Sequence, residues 1–428
     1  MIDIKGSGWV ERLYEITVLA VVLTLPIEWF QFSSVCIAVI AGLWLVDRGR
    51  MERFQLAAKN HMSIILGSIV VLYIASLLYT ENMAKGLAQF ETRFPLLVLP
   101  VVILNYYKID DRKLNIVLAT FVVACLAASL ICLISTFYRN HLNGLEFNYR
   151  NNWYYSSDSL VEKYGIHPSY FSIYCTFAIF VIVSYWKKGK LHGLLTGILI
   201  LHFLFFEMLL ASRIGIIALV LVVGLTIVYE AYERKKLWFG IIGVIGFFVV
   251  VAVSIYSFGT TREKFYALVD YKLHTYNKGF TASKRFEEWG ADLQVFKENF
   301  LFGVGIGDEQ VELDKMYARR GFTEGVENSY NPHNMFLETA IITGVLGVIA
   351  LMGIFYISFR TAIRARNILY LQFLILFVML SIPEATFSVQ KGIVFFALLN
   401  SLFIANLQGY ENSTPNVGDG PHNHSKWN

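Results

Sequence analysis

Charge is what this sequence has least of. Only 16% of its 428 residues are Asp, Glu, Lys or Arg, against 56% hydrophobic, and the mean hydropathy is +0.53. Soluble chains carry roughly a quarter charged residues, so the deficit implies a solvent that does not demand charge. That solvent is lipid. Cysteine is scarce too: Cys36, Cys125, Cys132 and Cys175 all fall in apolar runs, where they read as small packing residues, and neither a disulfide nor a bound metal is expected. An A-x-A-like site is missing after the first apolar run, which therefore reads as a span and not as a cleavable signal. The net charge of +4 is what basic loops on one membrane face produce, and no nucleic-acid partner is expected.

What is present is a series of long apolar runs, near residues 16–30, 33–46, 62–80, 94–106, 115–137, 168–186, 191–211, 214–232, 237–258, 334–359, 368–382 and 392–407. They predict an all-α polytopic integral membrane protein with about 12 transmembrane helices. The second and fourth runs are short enough for re-entrant segments. Counting both, however, puts the basic clusters around Arg48, Arg50 and Arg53, Lys108, Arg112 and Lys113, Lys187 to Lys190, Arg234 to Lys236, and Arg360 to Arg366 on one face. The positive-inside rule makes that face cytoplasmic, with both termini inside. The membrane domain is then 1–408, and the polar stretch 409–428, including His422 and His424, reads as a disordered cytoplasmic tail.

Three segments fall on the opposite, outer face: 81–93, 138–167 and a long one at 259–333, between helices 9 and 10. A loop of that length usually carries function. Within it Phe286, Trp289, Leu293, Phe296 and Phe300 recur at helical spacing, predicting an amphipathic helix near 283–300, capped by Ser283, on the outer membrane surface or against the bundle. Arg285 opens that helix, placed either to snorkel or to clamp a phosphate through its forked donors. The run "FGVGIGD" over 302–308 has no preceding strand and no P-loop lysine, so it reads as a tight turn and not as a nucleotide loop.

The sequence "NPHN" over 331–334 opens the next span. Asn331 suits an N-cap and Pro332 the first helical position, placing His333 and Asn334 in the first turn. A helix N-terminus favours anions and a neutral imidazole, so His333 reads either as an interfacial residue or as a base beside an anion site. Arg213 in "ASRIG" and Arg93 in "FETRFPLL" stand at outer helix ends and could snorkel or join such a site. His167, just before Pro168, is a further candidate. Glu207 and His202 lie inside an apolar run, as a functional pair or a hydrogen-bonded packing pair.

The order "SRIG", then "RFEEW" with "NFLFGVGIGD", then "NPHNMFLETAIITGVLG", together with "LYTENMAKGLAQFETRFPLLVLP" upstream, resembles the O-antigen ligase and polymerase superfamily of bacterial envelope glycosyltransferases, ligase-like branch. The likeness runs from about Ser76 to Ile382. It implies an inner-membrane enzyme that moves a glycan from undecaprenyl diphosphate to an acceptor hydroxyl, such as one on lipid A core, at the periplasmic face, with no cofactor and no metal. By position His333 matches the family's proposed base, Arg213 and Arg285 its diphosphate-binding arginines, and Asn334 the residue beside the histidine; Arg93 and His167 match more loosely. Repeat-unit polymerisation, protein O-glycosylation, a secondary transporter and a non-catalytic envelope receptor remain as alternative readings. A transporter would show two related halves, and no halfway repeat is visible.

Overall fold

The computed structural model describes residues 8–27, 32–46, 50–106, 109–150, 152–269 and 282–411. It is all-helical. The first half comprises α1 (Gly8–Thr24), α2 (Phe32–Val46), α3 (Arg50–Lys59), α4 (His61–Leu77), α5 (Met83–Arg93), α6 (Pro95–Tyr106), α7 (Asp111–Leu142), α8 (Asp158–Val161) and α9 (Pro168–Lys187). The second comprises α10 (Gly193–Leu210), α11 (Arg213–Glu233), α12 (Leu237–Ser257), α13 (Gly259–Val269), α14 (Ala282–Glu298), α15 (Glu309–Arg319), α16 (Thr323–Glu327), α17 (Met335–Arg364), α18 (Ile368–Ser381) and α19 (Gln390–Glu411). Arg48, Lys108, Ser283's side chain and residues 412–428 of the expected tail lie outside what is described.

Among the described residues eight helices are long and apolar enough to cross a membrane, and α2, α4 and α18 are shorter apolar ones. The protein is therefore a polytopic membrane protein, and the other expected runs correspond to these three shorter helices and to the 17-residue α1. The fourth run belongs to a longer helix than expected. Its helix extends back through α5 to span Met83–Asn105, because the amphipathic sequence after Asn82, whose side chain accepts from Lys85 N, continues helically into Pro95.

Lipid is as apolar as leucine, so helix association here rests on packing and on hydrogen bonds between spans. α9 and α19 are mostly buried at the centre, while α12 is nearly all exposed. Around them Phe121, Phe177, Phe373, Phe377, Phe395 and Phe396 interlock, with Phe377 and Phe396 4.6 Å apart and Phe373 edge-on to Phe395 at 5.3 Å. Such pairs contribute about 0.5–1.5 kcal/mol each beyond their buried area. Tyr370 donates to Asn400 at 2.6 Å and Gln372 to Thr226 at 2.8 Å.

One span is broken. Gly344 inside α17 has φ 65° and ψ −159°, and the loop after α14 fills the gap. Val304 N donates to Ile341 O at 2.8 Å, Gly305 N to Ile342 O at 3.1 Å, and Val345 N to Phe300 O at 2.8 Å. Broken helices persist at membrane depth only where the freed backbone groups find partners. A β-carbon on Gly344 would lie 2.3 Å from Leu301 O, so only glycine admits this approach. The glycine-rich run is thus more than a turn: it is a plug. Its far end is fixed by Asp308, whose carboxylate accepts from Glu81 N at 2.7 Å, Asn82 N at 2.9 Å and Thr80 Oγ1 at 3.0 Å at the head of α5.

Candidate active site

The segment before α17 takes a different course from the one its asparagines and proline suggested. The N-cap is Asn334, whose Oδ1 accepts from Phe336 N at 2.9 Å and Leu337 N at 3.0 Å. Asn331 instead accepts from His333 N at 3.0 Å, closing a local turn. His333 therefore stands just outside the helix, with a left-handed φ of 42°. A non-glycine residue there costs about 1–2 kcal/mol, strain of the kind that collects at ligand sites.

α14 holds that segment from above. Arg285 Nη1 donates to His333 O at 3.3 Å and to Pro383 O, and Trp289 Nε1, one turn on, donates to Pro332 O at 3.1 Å. The face of α14 turned inward is thus that of Arg285, Glu288, Trp289, Asp292 and Val295. The expected apolar stripe is divided: Trp289 and Phe296 turn inward, while Phe286 is 69% and Phe300 50% exposed. Helix α14 begins at Ala282, so Ser283 falls within its first turn and not before it. Burial pushes the inward Asp292 carboxyl up to about 8 even though Tyr317 donates to it at 3.0 Å.

Arg213 opens α11 immediately after α10, with Ser212 capping through its hydroxyl to Gly215 N at 3.3 Å. The glycine of "SRIG" is needed because α9 packs against it: a β-carbon there would meet Ser172 Oγ at 1.4 Å and Glu207 Oε1 at 2.6 Å. Ser172 donates to Glu207, and His202 bonds Ser129 at 2.7 Å, so each polar residue pairs with a neighbouring helix and not with the other.

Arg213 makes no hydrogen bond or ion pair with any described residue. It lies close enough to Arg285 for the two cations to repel. Nearby, His167 caps α9, its Nδ1 accepting from Ser169 N at 3.4 Å and lying 3.8 Å from Glu384 Oε1. The two contacts are alternatives, since the cap requires a bare Nδ1 and the ion pair a protonated one.

The structure brings Arg213, Arg285, His333 and His167 to one end of the bundle. Burial first, then the Arg285 guanidinium and the His167 ring, pull the His333 imidazole down from 6.5 to about 4. The direction is the one expected of a helix start, but the cause is burial and neighbouring cations. Burial also lowers Arg285, opposed by Glu384 and Glu288. A neutral imidazole beside two guanidiniums can accept a proton while an anion is held.

Arg93 does not join them. It is 1% exposed, donates to Glu338 at 2.7 Å and to Gln89 Oε1 at 2.8 Å, and lies over the Tyr73 ring. A guanidinium without water needs such a carboxylate. Asn334 serves the site as the cap that ends the His333 turn. Sequence reasoning missed Glu384 and Lys264. The first is the sole acid in the α18–α19 turn "SIPEATF", a signal that was readable; the second was one cation among many in the long segment. Among the described residues no cluster of three His, Cys, Asp or Glu could hold a metal.

A protein of Haemophilus influenzae described as an uncharacterized protein is 26% identical over 182 residues, 41% of this chain and 45% of the relative. The chain thus spans less than half the length of that relative. Residues 197–352 match the Wzy_C family, described as O-antigen ligase, and this stretch contains Arg213, Lys264, Arg285 and His333, while His167, Arg93 and Glu384 lie outside it. The chain carries, over residues 197–352, a Wzy_C O-antigen ligase family domain.

Proposed function

We propose that this protein is a glycosyltransferase of the bacterial inner membrane that moves a glycan from undecaprenyl diphosphate to an acceptor hydroxyl at the periplasmic face, in the manner of a ligase acting on a glycolipid such as lipid A core. The observation that carries this reading is the convergence of His333 with Arg285 and Arg213, drawn from segments far apart in sequence and held by Arg285 on the His333 carbonyl. The match of residues 197–352 to a family described as O-antigen ligase supports a lipid-linked glycan as the substrate class.

His333 takes the proton from the acceptor hydroxyl. The freed oxygen attacks the anomeric carbon as its bond to the phosphate oxygen breaks, and the polyprenyl diphosphate departs with the electron pair. Arg213 and Arg285 neutralise the charge that grows on that leaving group. Attack in line with departure inverts the anomeric centre. The leaving group is already good, so the protein has chiefly to hold charge and remove one proton.

The test is the envelope glycan profile of a deletion strain complemented with wild type or His333→Ala, separating lipid A-linked from carrier-linked material. Long glycan stranded on the carrier in the variant supports ligation. Single repeats already on lipid A core would instead make the protein a polymerase, and a wild-type profile would remove His333 from the chemistry.

A further inference from the structure

Lys264, on α13, has no place in the scheme above, yet its position is tightly built. Two segments, 152–157 and the start of α13, lock onto the end of α10 just before Arg213 and onto each other. Ser157 N donates to Leu209 O at 2.8 Å, Thr261 Oγ1 donates to Met208 O at 2.6 Å, and Asn152 Oδ1 accepts from both the N–H and the hydroxyl of Thr260 at 3.0 Å. This framework leaves Lys264 Nζ donating to Ser157 Oγ, with Ser157 itself held at a left-handed φ of 51°. Asn152, Ser156, Thr260 and Thr261 are all buried, so the framework is a fixed wall and not a surface loop.

The electrostatics of that position are unfavourable for a resting lysine. Burial lowers its ammonium, Asp158 opposes, and Arg213 adds to the lowering. Arg213 is also repelled by Arg285 and finds no partner among the described residues. Lys264 lies close enough to Arg213, and Arg213 to Arg285, for each pair to repel, with Asp158 beside Lys264 and Glu384 and Glu288 beside Arg285 offsetting part of that charge. Like charges placed together cost free energy unless an anion enters between them.

We propose that Lys264 is a third cationic ligand of the carrier diphosphate, meeting the phosphate remote from the one Arg285 holds, with Ser157 parking its amino group until the anion enters. The ligand class is a diphosphate monoester or diester, and a monophosphate would leave Lys264 unused. This deepens the glycan-transfer reading and rests on it. A lysine acts on phosphate as a point charge, so an arginine at 264 should substitute for it in binding.

The experiment measures binding of a short-chain polyprenyl diphosphate and the corresponding monophosphate to the full-length protein in lipid nanodiscs, by intrinsic tryptophan fluorescence. Lys264→Gln keeps a donor for Ser157 and removes the charge; Lys264→Met serves where the glutamine variant does not fold. Loss of about tenfold in diphosphate affinity is expected, with monophosphate affinity changed less than about twofold and Lys264→Arg close to wild type. Equal losses for both ligands would make Lys264 a structural residue and overturn the proposal. So would unchanged diphosphate binding in Lys264→Gln while Arg213→Ala and Arg285→Ala lose it, in which case the arginine clamp survives alone. If wild type binds neither ligand, or if the arginine variants bind as wild type does, the clamp itself fails and Lys264 with it.

Discussion

Arg285 and His333, 48 residues apart in sequence, are joined directly: the guanidinium Nη1 donates to the backbone carbonyl of His333 at 3.3 Å. The candidate anion-binding group thus also sets the strained backbone that aims the candidate base. Trp289 reinforces the link through Pro332 O. Clamp and base consequently act as one unit.

From this coupling, Arg285→Lys should fail to restore activity. An ammonium keeps the charge but not the fork that reaches both Pro383 O and His333 O. The expected outcome is a fall of about 10- to 100-fold in kcat/KM for glycan transfer, with kcat reduced as well as donor binding. A variant that lost only donor affinity would show that Arg285 does not position His333.

His333→Ala should lower transfer by about 10²- to 10⁴-fold, the usual contribution of a positioned base, with donor binding kept. The pH profile is a sharper check. With the imidazole lowered to about 4, the base stays neutral through the physiological range and is lost only as pH falls towards 4. Measured kcat/KM should therefore be flat between about pH 5.5 and 7.5 on the His333 account. An acid limb centred near 6.5 would indicate a solvent-exposed histidine, or that another group is the base.

Much of this was legible in the sequence, and the failures have physical causes. The helix predicted at 283–300 lies at Ala282–Glu298 because its periodicity is genuine. The sequence left open whether its apolar stripe faces lipid or the bundle, because next to lipid such a stripe can be satisfied on either side. The helix does both: Phe286 and Phe300 are exposed while Phe296 packs inward. The "NPHN" stretch offers two capping asparagines one residue either side of a Pro-His pair, and the choice between them is made by contacts from α14 that sequence cannot supply. Arg93 was weighed as a snorkelling or clamping residue because its partner, Glu338, lies 245 residues away.

That buried pair gives a third prediction. Removing one partner leaves an uncompensated charge, so Arg93→Met or Glu338→Leu alone should destabilise by about 3–5 kcal/mol. Together they should recover most of that loss, as an apolar pair of similar volume often does. Thermal unfolding of the four proteins measures the coupling. If Arg93 instead contacts the diphosphate, the double variant would be stable yet weakened in donor binding.

The break in α17 makes Gly344→Ala a test of the plug. The substitution adds strain at φ 65° and drives a methyl group to 2.3 Å from Leu301 O. Loss of the docked loop would free the Ile341 and Ile342 carbonyls at membrane depth, where each unsatisfied group costs several kcal/mol. Limited proteolysis should then cleave within residues 300–307 in the variant while leaving that segment intact in the wild type. Alanine at position 344 with unchanged protection would show that the loop and the helix break are independent.

Asp292 supplies a prediction about stability. Its carboxyl is raised from 3.8 to about 8 by burial first, with Tyr317 pulling the other way. An unfolded chain gives up this proton near pH 4, whereas the folded one keeps it to about pH 8. The stability from the protonated form is therefore complete below pH 3.8 and is lost progressively as pH rises through about 8. Asp292→Asn retains an oxygen for Tyr317 and removes the titration. In thermal scans of the purified protein the variant should melt at a higher temperature than wild type at pH 8, the difference shrinking as pH falls to 5. Parallel curves across that range would mean that Asp292 is ionised in the folded protein, paired through a rearrangement of α14 against α15.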